Sequence, residues 1–529
     1  MTEIGNLDIY DNKTQRPRGT GKQKPVSRKF KIPEKGRIRL VLILVLIIIG
    51  IRFTGPCLSG DTDRRAKRTE NHTEEKNIDG VTSKRTNNQT KKNIDDAIDN
   101  HIDNRTDTTT DSMLMDAPGR PRRLGRLARF FMDKKARREE QRFIREAAAR
   151  RHTAQHDMSF DDVRQLFKTH DIGIGASRQT VIVDKDTLTI SLSIDTVLQR
   201  FAQTLFRRYK PRYAAAAAID PATGRVLALA SFANEGEELD GSDLYLKSIF
   251  PAASVFKTIV AAAGIERAGM NSQTAIPHYG RNHTLFMSQI QENLRVSRDV
   301  TLQDAFAYSI NPAFARIALF NTNKDAVFDV GQRFGFNESI PFELDADTSV
   351  MFYPEGDFSI AEFASGFNRK TLISPLFGAM IAAAVCQGGI IFEPTIVDSV
   401  TSSRRDTVVY TREHNIWRRA IRESTASELR QLMTSVTRYG TARNQFRPLR
   451  TSNRFGRYEY GGKTGNVNKL GLGRVDWFVG YAKDPNNKDR RIAVGVVTTH
   501  GEFWTVHSSF IAGELFRRYI IIEEQNQSL

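Results

Sequence analysis

The chain has 529 residues, 40% hydrophobic and 26% charged, which allows more than one domain and is an ordinary overall balance. Its two cysteines, Cys57 and Cys386, exclude a disulfide framework by count. The net charge of +17 is unevenly placed: residues 1–39 carry eleven Lys/Arg against four Asp/Glu, and residues 118–151 carry thirteen against four. The remainder is close to neutral, so the basic balance says little about the rest of the chain. No metal-ligand spacing and no phosphate-binding glycine loop stands out, and we expect no metal and no cofactor.

Residues 1–39 read as a basic head. Leu40–Ile51 is an uninterrupted apolar run. At ~1.5 Å per residue it spans ~18 Å against a ~30 Å hydrocarbon core, a length that suits a signal-peptide core. Arg39 and Arg52 can snorkel, however, which lets Ile38–Leu58 reach ~31 Å. The head is also long for a signal peptide, and no small-x-small cleavage site follows. We therefore expect residues 40–58 to be a retained single-pass anchor; a cleaved signal and a buried core helix are the alternatives. The charge of the head places it on the cytoplasmic side, an argument that the basic cluster at 64–68 weakens. Thr54-Gly55-Pro56-Cys57 is a poor lipoprotein-type site.

Residues 59–117 are rich in Thr, Asn, Asp and Lys and poor in aromatics, and read as a disordered linker. Residues 118–151 read as a basic helix with a partial stripe of Leu124, Leu127 and Phe131. It is either a solvated charged helix or one that binds anionic headgroups or wall polymer. Nucleic acid is set aside because the topology puts this segment outside the cytoplasm. Residues 152–186 are expected to be a short connecting region, and 187–525 a globular domain.

Within that domain Thr187–Ile194 alternates like a strand, and Asp195 caps a helix to about Tyr209. Tyr213–Asp220 and Arg225–Phe232 read as strands joined by the turn Asp220-Pro221-Ala222-Thr223-Gly224. Thr301 with Asp304 marks a helix start, and that helix ends near Tyr308. Ser309–Asn311 reads as a loop before a helix that begins at Pro312. Tyr458–Gly465, Val475–Ala482 and Arg491–Thr499 read as strands, with a hairpin tip at Asp484–Asp489. His507–Ile521 reads as a final helix. Cys386 lies in an apolar helix-like stretch and is expected in the core.

The stretch Pro251–Met270 reads as one helix, with Pro251 in its first turn and Gly269 at its end. Ser254 and Lys257 are three residues apart and share a face. A hydroxyl is a poor nucleophile alone, and a neighbouring amine can take its proton. Ser-x-x-Lys by itself is weak, because an ordinary helix can carry it. Two further stretches raise its weight: Ser309-Ile310-Asn311, and Lys463-Thr464-Gly465, which lies 154 residues beyond Ser309. Ser-x-x-Lys, Ser-x-Asn and Lys-Thr-Gly in this order form a specific constellation.

With these motifs the chain resembles the penicillin-binding proteins, the serine acyltransferases that cross-link peptidoglycan. "AAAAAIDPATGRVLALASF", "LRQLMTSVTRYGTA" and "VDWFVGYAKD" also look like that family's transpeptidase domain. The resemblance covers roughly Thr187 to Tyr519. It implies an α+β penicillin-binding/β-lactamase-like fold: an antiparallel five-stranded sheet flanked by helices, with an all-helical subdomain.

The resemblance also implies a role for each motif residue. Ser254 attacks the carbonyl of a D-alanyl-D-alanine stem, Lys257 is the base, and Ser309 relays a proton to the leaving amine. Asn311 meets the substrate amide, Lys463 and Thr464 hold its terminal carboxylate, and Gly465 permits close approach. The backbone N–H groups of Ser254 and Asn466 form the oxyanion hole. Asn466 departs from the family, which usually has a hydroxyl residue there, so its carboxylate contact is in doubt. Each residue also has a plainer alternative. Ser309 can cap the next helix, Asn311 can close a turn, and Lys463 can be a solvated strand lysine. Lys257 needs special surroundings: at an unperturbed pKa of ~10.4, under about 0.1% is neutral at pH 7. A shift of ~3 units, or ~4 kcal/mol, calls for burial and a second cation, for which Lys463 is the candidate.

The expected function is therefore a membrane-anchored D,D-transpeptidase with an extracytoplasmic catalytic domain, at the bacterial cytoplasmic membrane. Its expected partners are peptidoglycan stem peptides and, as covalent inhibitors, β-lactams. No glycosyltransferase domain precedes Thr187, so a separate glycan polymerase is expected to supply strands. Two alternatives share the scaffold. One is hydrolysis, as a D,D-carboxypeptidase, endopeptidase or β-lactamase; the other is a non-catalytic β-lactam-binding scaffold or sensor.

Overall fold

The computed structural model describes residues 157–293 and 297–527. The expectations for the head, the anchor, the linker and the basic helix lie outside the described residues.

The described chain opens with helix α1 (Phe160–Thr169) and strands β1 (Arg178–Val183) and β2 (Asp186–Leu192). Ser159 and Asp162 close the N-terminus of α1 in a reciprocal capping box. Helix α2 (Thr196–Tyr209) follows, then β3 (Tyr213–Ile219) and β4 (Val226–Ala233). As expected, Asp195 caps α2, accepting from the Val197 and Leu198 N–H groups at 2.8 and 2.9 Å. In the β3–β4 turn the Asp220 carboxylate accepts from the Ala222 N–H and the Thr223 hydroxyl.

A helical region comes next: α3 (Lys257–Ala268), α4 (Leu302–Ala307), α5 (Asn311–Arg316), α6 (Lys324–Phe334), α7 (Asp357–Ser365) and α8 (Pro375–Cys386). Then follow β5 (Val397–Ser402), β6 (Thr407–Thr411), α9 (Glu423–Arg438) and α10 (Arg443–Arg450). The chain closes with β7 (Glu459–Lys469), β8 (Gly473–Asp484), β9 (Asn487–His500) and α11 (Ser508–Asn526).

The principal sheet has five antiparallel strands in the order β7-β8-β9-β3-β4. Strands from both ends of the globular region thus meet side by side, and the helical region is inserted between β4 and β7. Every residue of β3, Tyr-Ala-Ala-Ala-Ala-Ala-Ile, is buried, so both faces of the sheet are covered. The small alanines let helices approach closely. Helix α8 is apolar all round and buried at every position, as a core helix should be. It packs against β8, β9 and β3, while α11 packs against β8 and β9 and α2 against β4. Cys386, at the end of α8, is buried as expected, and burial pushes its thiol up to about 12.

Two local expectations need correction. The stretch Pro251–Met270 is not one helix from its proline. Phe250 and Pro251 pair as a short bridge with Leu372 and Ile373. A 3-10 turn, Ala253–Phe256, then leads into α3, which ends at the left-handed Gly269 as expected. Second, the helix expected from Pro312 begins one residue earlier, at Asn311. The strand expected at Thr187–Ile194 forms as β2. It lies in a separate four-stranded sheet, β1-β2-β5-β6. Its alternation reports one buried face and carries no information about which partners cover it. β2, which starts at Asp186, pairs with β1, inside 152–186.

Candidate active site

Three elements converge on Ser254. The first is the 3-10 turn that carries it. Ala253 holds a positive φ of 47° and Gly366 one of 70°; a side chain on Gly366 would meet the Ala253 carbonyl at 1.9 Å. The turn and the end of α7 are therefore pressed together. The second element is the Ser309–Asn311 loop, and the third is β7.

Lys257 begins α3 and is wholly buried. Its Nζ lies 2.7 Å from Ser254 Oγ and 2.8 Å from Asn311 Oδ1, and it donates to the Ser365 carbonyl. Two of these neighbours can only accept, and the third is a hydroxyl. A neutral amine, with two N–H donors and one lone pair, satisfies all three if Ser254 donates. Burial, and after it the charge of Lys463, holds the Lys257 pKa well below the usual lysine range.

The amide of Asn311 is oriented from its other side, where Nδ2 donates to the His283 carbonyl at 3.2 Å. Its backbone N–H donates to the Asn282 carbonyl at 2.6 Å. Ser309 is buried and left-handed, with φ 56°. It does not cap α5, whose N-cap is Ile310 without a side-chain bond. Lys463 is buried as well, not solvated. Its Nζ donates to Ser309 Oγ at 3.0 Å and to the Thr464 carbonyl at 2.9 Å. Burial pushes the Lys463 pKa down to about 7.

On β7, the Thr464 hydroxyl is paired with the Thr441 hydroxyl at 2.6 Å. Gly465 shows why a glycine stands there: a side chain would fall 3.2–3.3 Å from the Ala253 Cβ and the Ser254 nitrogen. The strand backbone thus runs against the Ser254 turn. Asn466 is exposed, and its Nδ2 donates to the Val475 carbonyl at 3.2 Å. Ser254, Ser309, Asn311, Thr464, Gly465 and Asn466 all line one cleft of about 630 Å³.

The structure thus brings the eight sequence-derived residues together. It adds His283, Ser365 and Thr441. Thr441 lies in a stretch that carried the family resemblance, but no spacing rule singled it out. Ser365 acts through its carbonyl, and its side-chain type gave no signal. His283 lines the cleft, and burial together with the two lysines lowers its pKa.

A serine hydroxyl against a buried lysine, beside the edge strand of a five-stranded antiparallel sheet, is the arrangement of an active-site-serine protein. The family model for the penicillin binding protein transpeptidase domain matches residues 214–520, more than half of the chain. The chain belongs to this family. It is 26% identical over 314 residues to the peptidoglycan D,D-transpeptidase PbpA of Mycolicibacterium smegmatis, covering 54% of this chain and 61% of that protein. It is 23% identical over 312 residues to the stage V sporulation protein D of Bacillus subtilis, covering 56% of this chain and 47% of that protein. The chain thus spans about half the length of the curated relatives it matches.

Among solved structures it resembles the D,D-transpeptidase domain of a peptidoglycan glycosyltransferase from Eggerthella lenta. The TM-score is 0.54 at 21% identity, over 68% of this chain and 87% of that one. It also resembles penicillin binding protein 3 of Mycobacterium tuberculosis complexed with aztreonam. There the TM-score is 0.52 at 16% identity, over 63% of this chain and 79% of that one. At these identities the likeness is one of fold.

Proposed function

We propose that the protein is a peptidoglycan D,D-transpeptidase that forms an acyl-enzyme on Ser254. The observation that carries this reading is the contact of 2.7 Å between Ser254 Oγ and a buried Lys257 whose charged form is disfavoured. The relatives named as D,D-transpeptidases support it.

In this reading Ser254 Oγ attacks the carbonyl carbon between the two terminal D-alanines, and its proton passes to Lys257 Nζ. The oxyanion is met by the backbone N–H groups of Ser254 and Asn466. The approach of β7 at Gly465 to the Ser254 nitrogen supports that geometry. Ser309, bonded to Lys463, passes a proton to the departing amine as the C–N bond breaks. Asn311 meets the stem-peptide amide, and Lys463 with Thr464 holds the terminal carboxylate. An acceptor amine then attacks the ester and gives its proton to Ser309, and the proton held on Lys257 returns to Ser254 as the ester C–O bond breaks.

The apolar run Leu40–Ile51 between Arg39 and Arg52 supports a membrane anchor, which puts the domain at 187–525 outside the cytoplasmic membrane. A separate polymerase supplies the glycan strands, and β-lactams acylate the same serine.

The test is incubation with a fluorescent penicillin, followed by a donor stem peptide with and without an amine acceptor. Transpeptidation predicts labelling and a peptide–amine product. Release of D-alanine alone, with no such product at any acceptor concentration, would move the assignment to a carboxypeptidase.

A further inference from the structure

We propose that α10 and the end of α9 carry a docking surface for the polymeric substrate, built from Arg438, Arg443, Arg447 and Arg450. This surface takes the carboxylates repeated along a peptidoglycan strand. The proposal rests on the transpeptidase reading and extends it from the reacting stem to the strand that bears it.

The first observation is charge. Residues 430–457 contain seven arginines and no Asp or Glu, in a domain (187–525) whose 39 Lys/Arg and 34 Asp/Glu leave a net charge of only +5. Three of the seven are engaged. Arg454 and Arg457 pair with Glu524, and Arg430 donates to the Val385 carbonyl. Among the described residues, no carboxylate pairs with the other four. Arg438, Arg443 and Arg447 are exposed and half-buried Arg450 lies beside them, close enough that their charges repel its own. The Arg450 Nε–H is buried and has no hydrogen-bond partner among the described residues. Like charges held together without counter-charge weaken a fold. A bound polyanion relieves that repulsion.

The second observation is position. Helix α10 buries Phe446 and Leu449. Arg443, Arg447 and Arg450 are spaced by four and three residues, so they form one stripe on the helix, about 10 Å long. Asn444 and Gln445, next to Arg443, line the cleft. The turn that enters α10 carries Thr441, bonded to Thr464. The stripe therefore begins at the cleft wall and leads away from it. A strand with one stem in the cleft lays its neighbouring stems, each ending in a carboxylate, along this side.

A repeating polymer fits this surface better than a single small anion. An exposed ion pair contributes little alone and is screened by salt, whereas several contacts along one chain add up.

The test uses the full chain and purified peptidoglycan sacculi, with a double substitution Arg443→Glu and Arg447→Glu. Co-sedimentation at ~50 mM salt should fall by about fivefold or more, and the difference should vanish near ~0.5 M. Penicillin acylation of the same samples checks that the cleft is folded. If the charge-reversed chain is acylated yet sediments with sacculi as the unaltered chain does, the docking surface is refuted. The proposal is also refuted if the substitutions weaken binding to phosphatidylglycerol vesicles but not to sacculi. Should the glutamates prevent folding, Arg443→Gln with Arg447→Gln serves instead; a loss of about twofold or more supports the surface, and no loss overturns it. If the unaltered chain is not acylated at all, the transpeptidase reading fails, while sacculus binding still reports on the arginines.

Discussion

The Lys463 ammonium nitrogen lies 3.0 Å from the Ser309 hydroxyl and couples the edge strand to the helical region across 154 residues of sequence. Both groups are buried, and the neighbouring Lys257 feels the Lys463 charge. The proposed mechanism gives the two lysines different tasks, and that difference is testable.

In the proposed mechanism Lys257 accepts a proton. Lys257→Arg keeps a cation, but arginine stays protonated and cannot act as a base. Penicillin acylation should slow by at least ~100-fold, within the ~10²–10⁴ range for loss of a general base. Stopped-flow acylation rates check this, and a near-normal rate refutes the base role.

In the proposed mechanism Lys463 attracts a carboxylate, which calls for its charged form, and burial lowers its pKa to about 7. Bound carboxylate favours the protonated form, so binding takes up a proton above that pH. The KM for a donor peptide should therefore rise with pH above about 7. In Lys463→Arg that rise should disappear, because arginine keeps its charge, although the wider guanidinium should cost part of the activity. A KM that is flat from pH 6 to 9 in the unaltered protein contradicts this role.

Lys463→Met removes a cation from beside Lys257. Burial remains the larger cause of the low Lys257 pKa, so that pKa should rise only partway. The acid limb of the acylation profile should move to higher pH, while Lys463→Arg should move it little. If neither variant moves that limb, burial alone sets the base.

The Thr441–Thr464 hydroxyl pair holds the Thr464 side chain at the cleft wall. Thr441→Val should raise the KM for carboxylate-bearing donors by several-fold, on the scale of about one hydrogen bond, with a smaller effect on kcat. Asp195→Ala is a structural control far from this chemistry. Loss of the α2 cap should cost ~1 kcal/mol and lower the Tm by a few degrees, leaving acylation intact. Calorimetry and acylation rates on the two variants separate the effects.

Much of this architecture was legible in local sequence signals. Asp195 and Thr301 announce helix starts through their side chains, and both cap as expected. The five sheet strands follow from short apolar runs between turn residues. The motifs located Ser254, Lys257, Ser309, Asn311 and Lys463 because their chemistry depends on side-chain type at fixed spacing. Backbone roles left no such trace. The Ser365 carbonyl on Lys257 and the His283 carbonyl on Asn311 can be supplied by any residue type. The start of the Ser254 helix was misjudged because Pro251 suits a first turn as well as the extended bridge it forms with Leu372. The burial of Lys463 was also hidden, because it comes from residues distant in sequence.

The central claim is that Ser254, activated by Lys257, is the nucleophile, and peptide mapping of the penicillin adduct by mass spectrometry tests it most directly. The account predicts a single penicilloyl group on the peptide bearing Ser254, and none in a folded Ser254→Ala protein. An adduct on another residue, or labelling that survives Ser254→Ala, would contradict it.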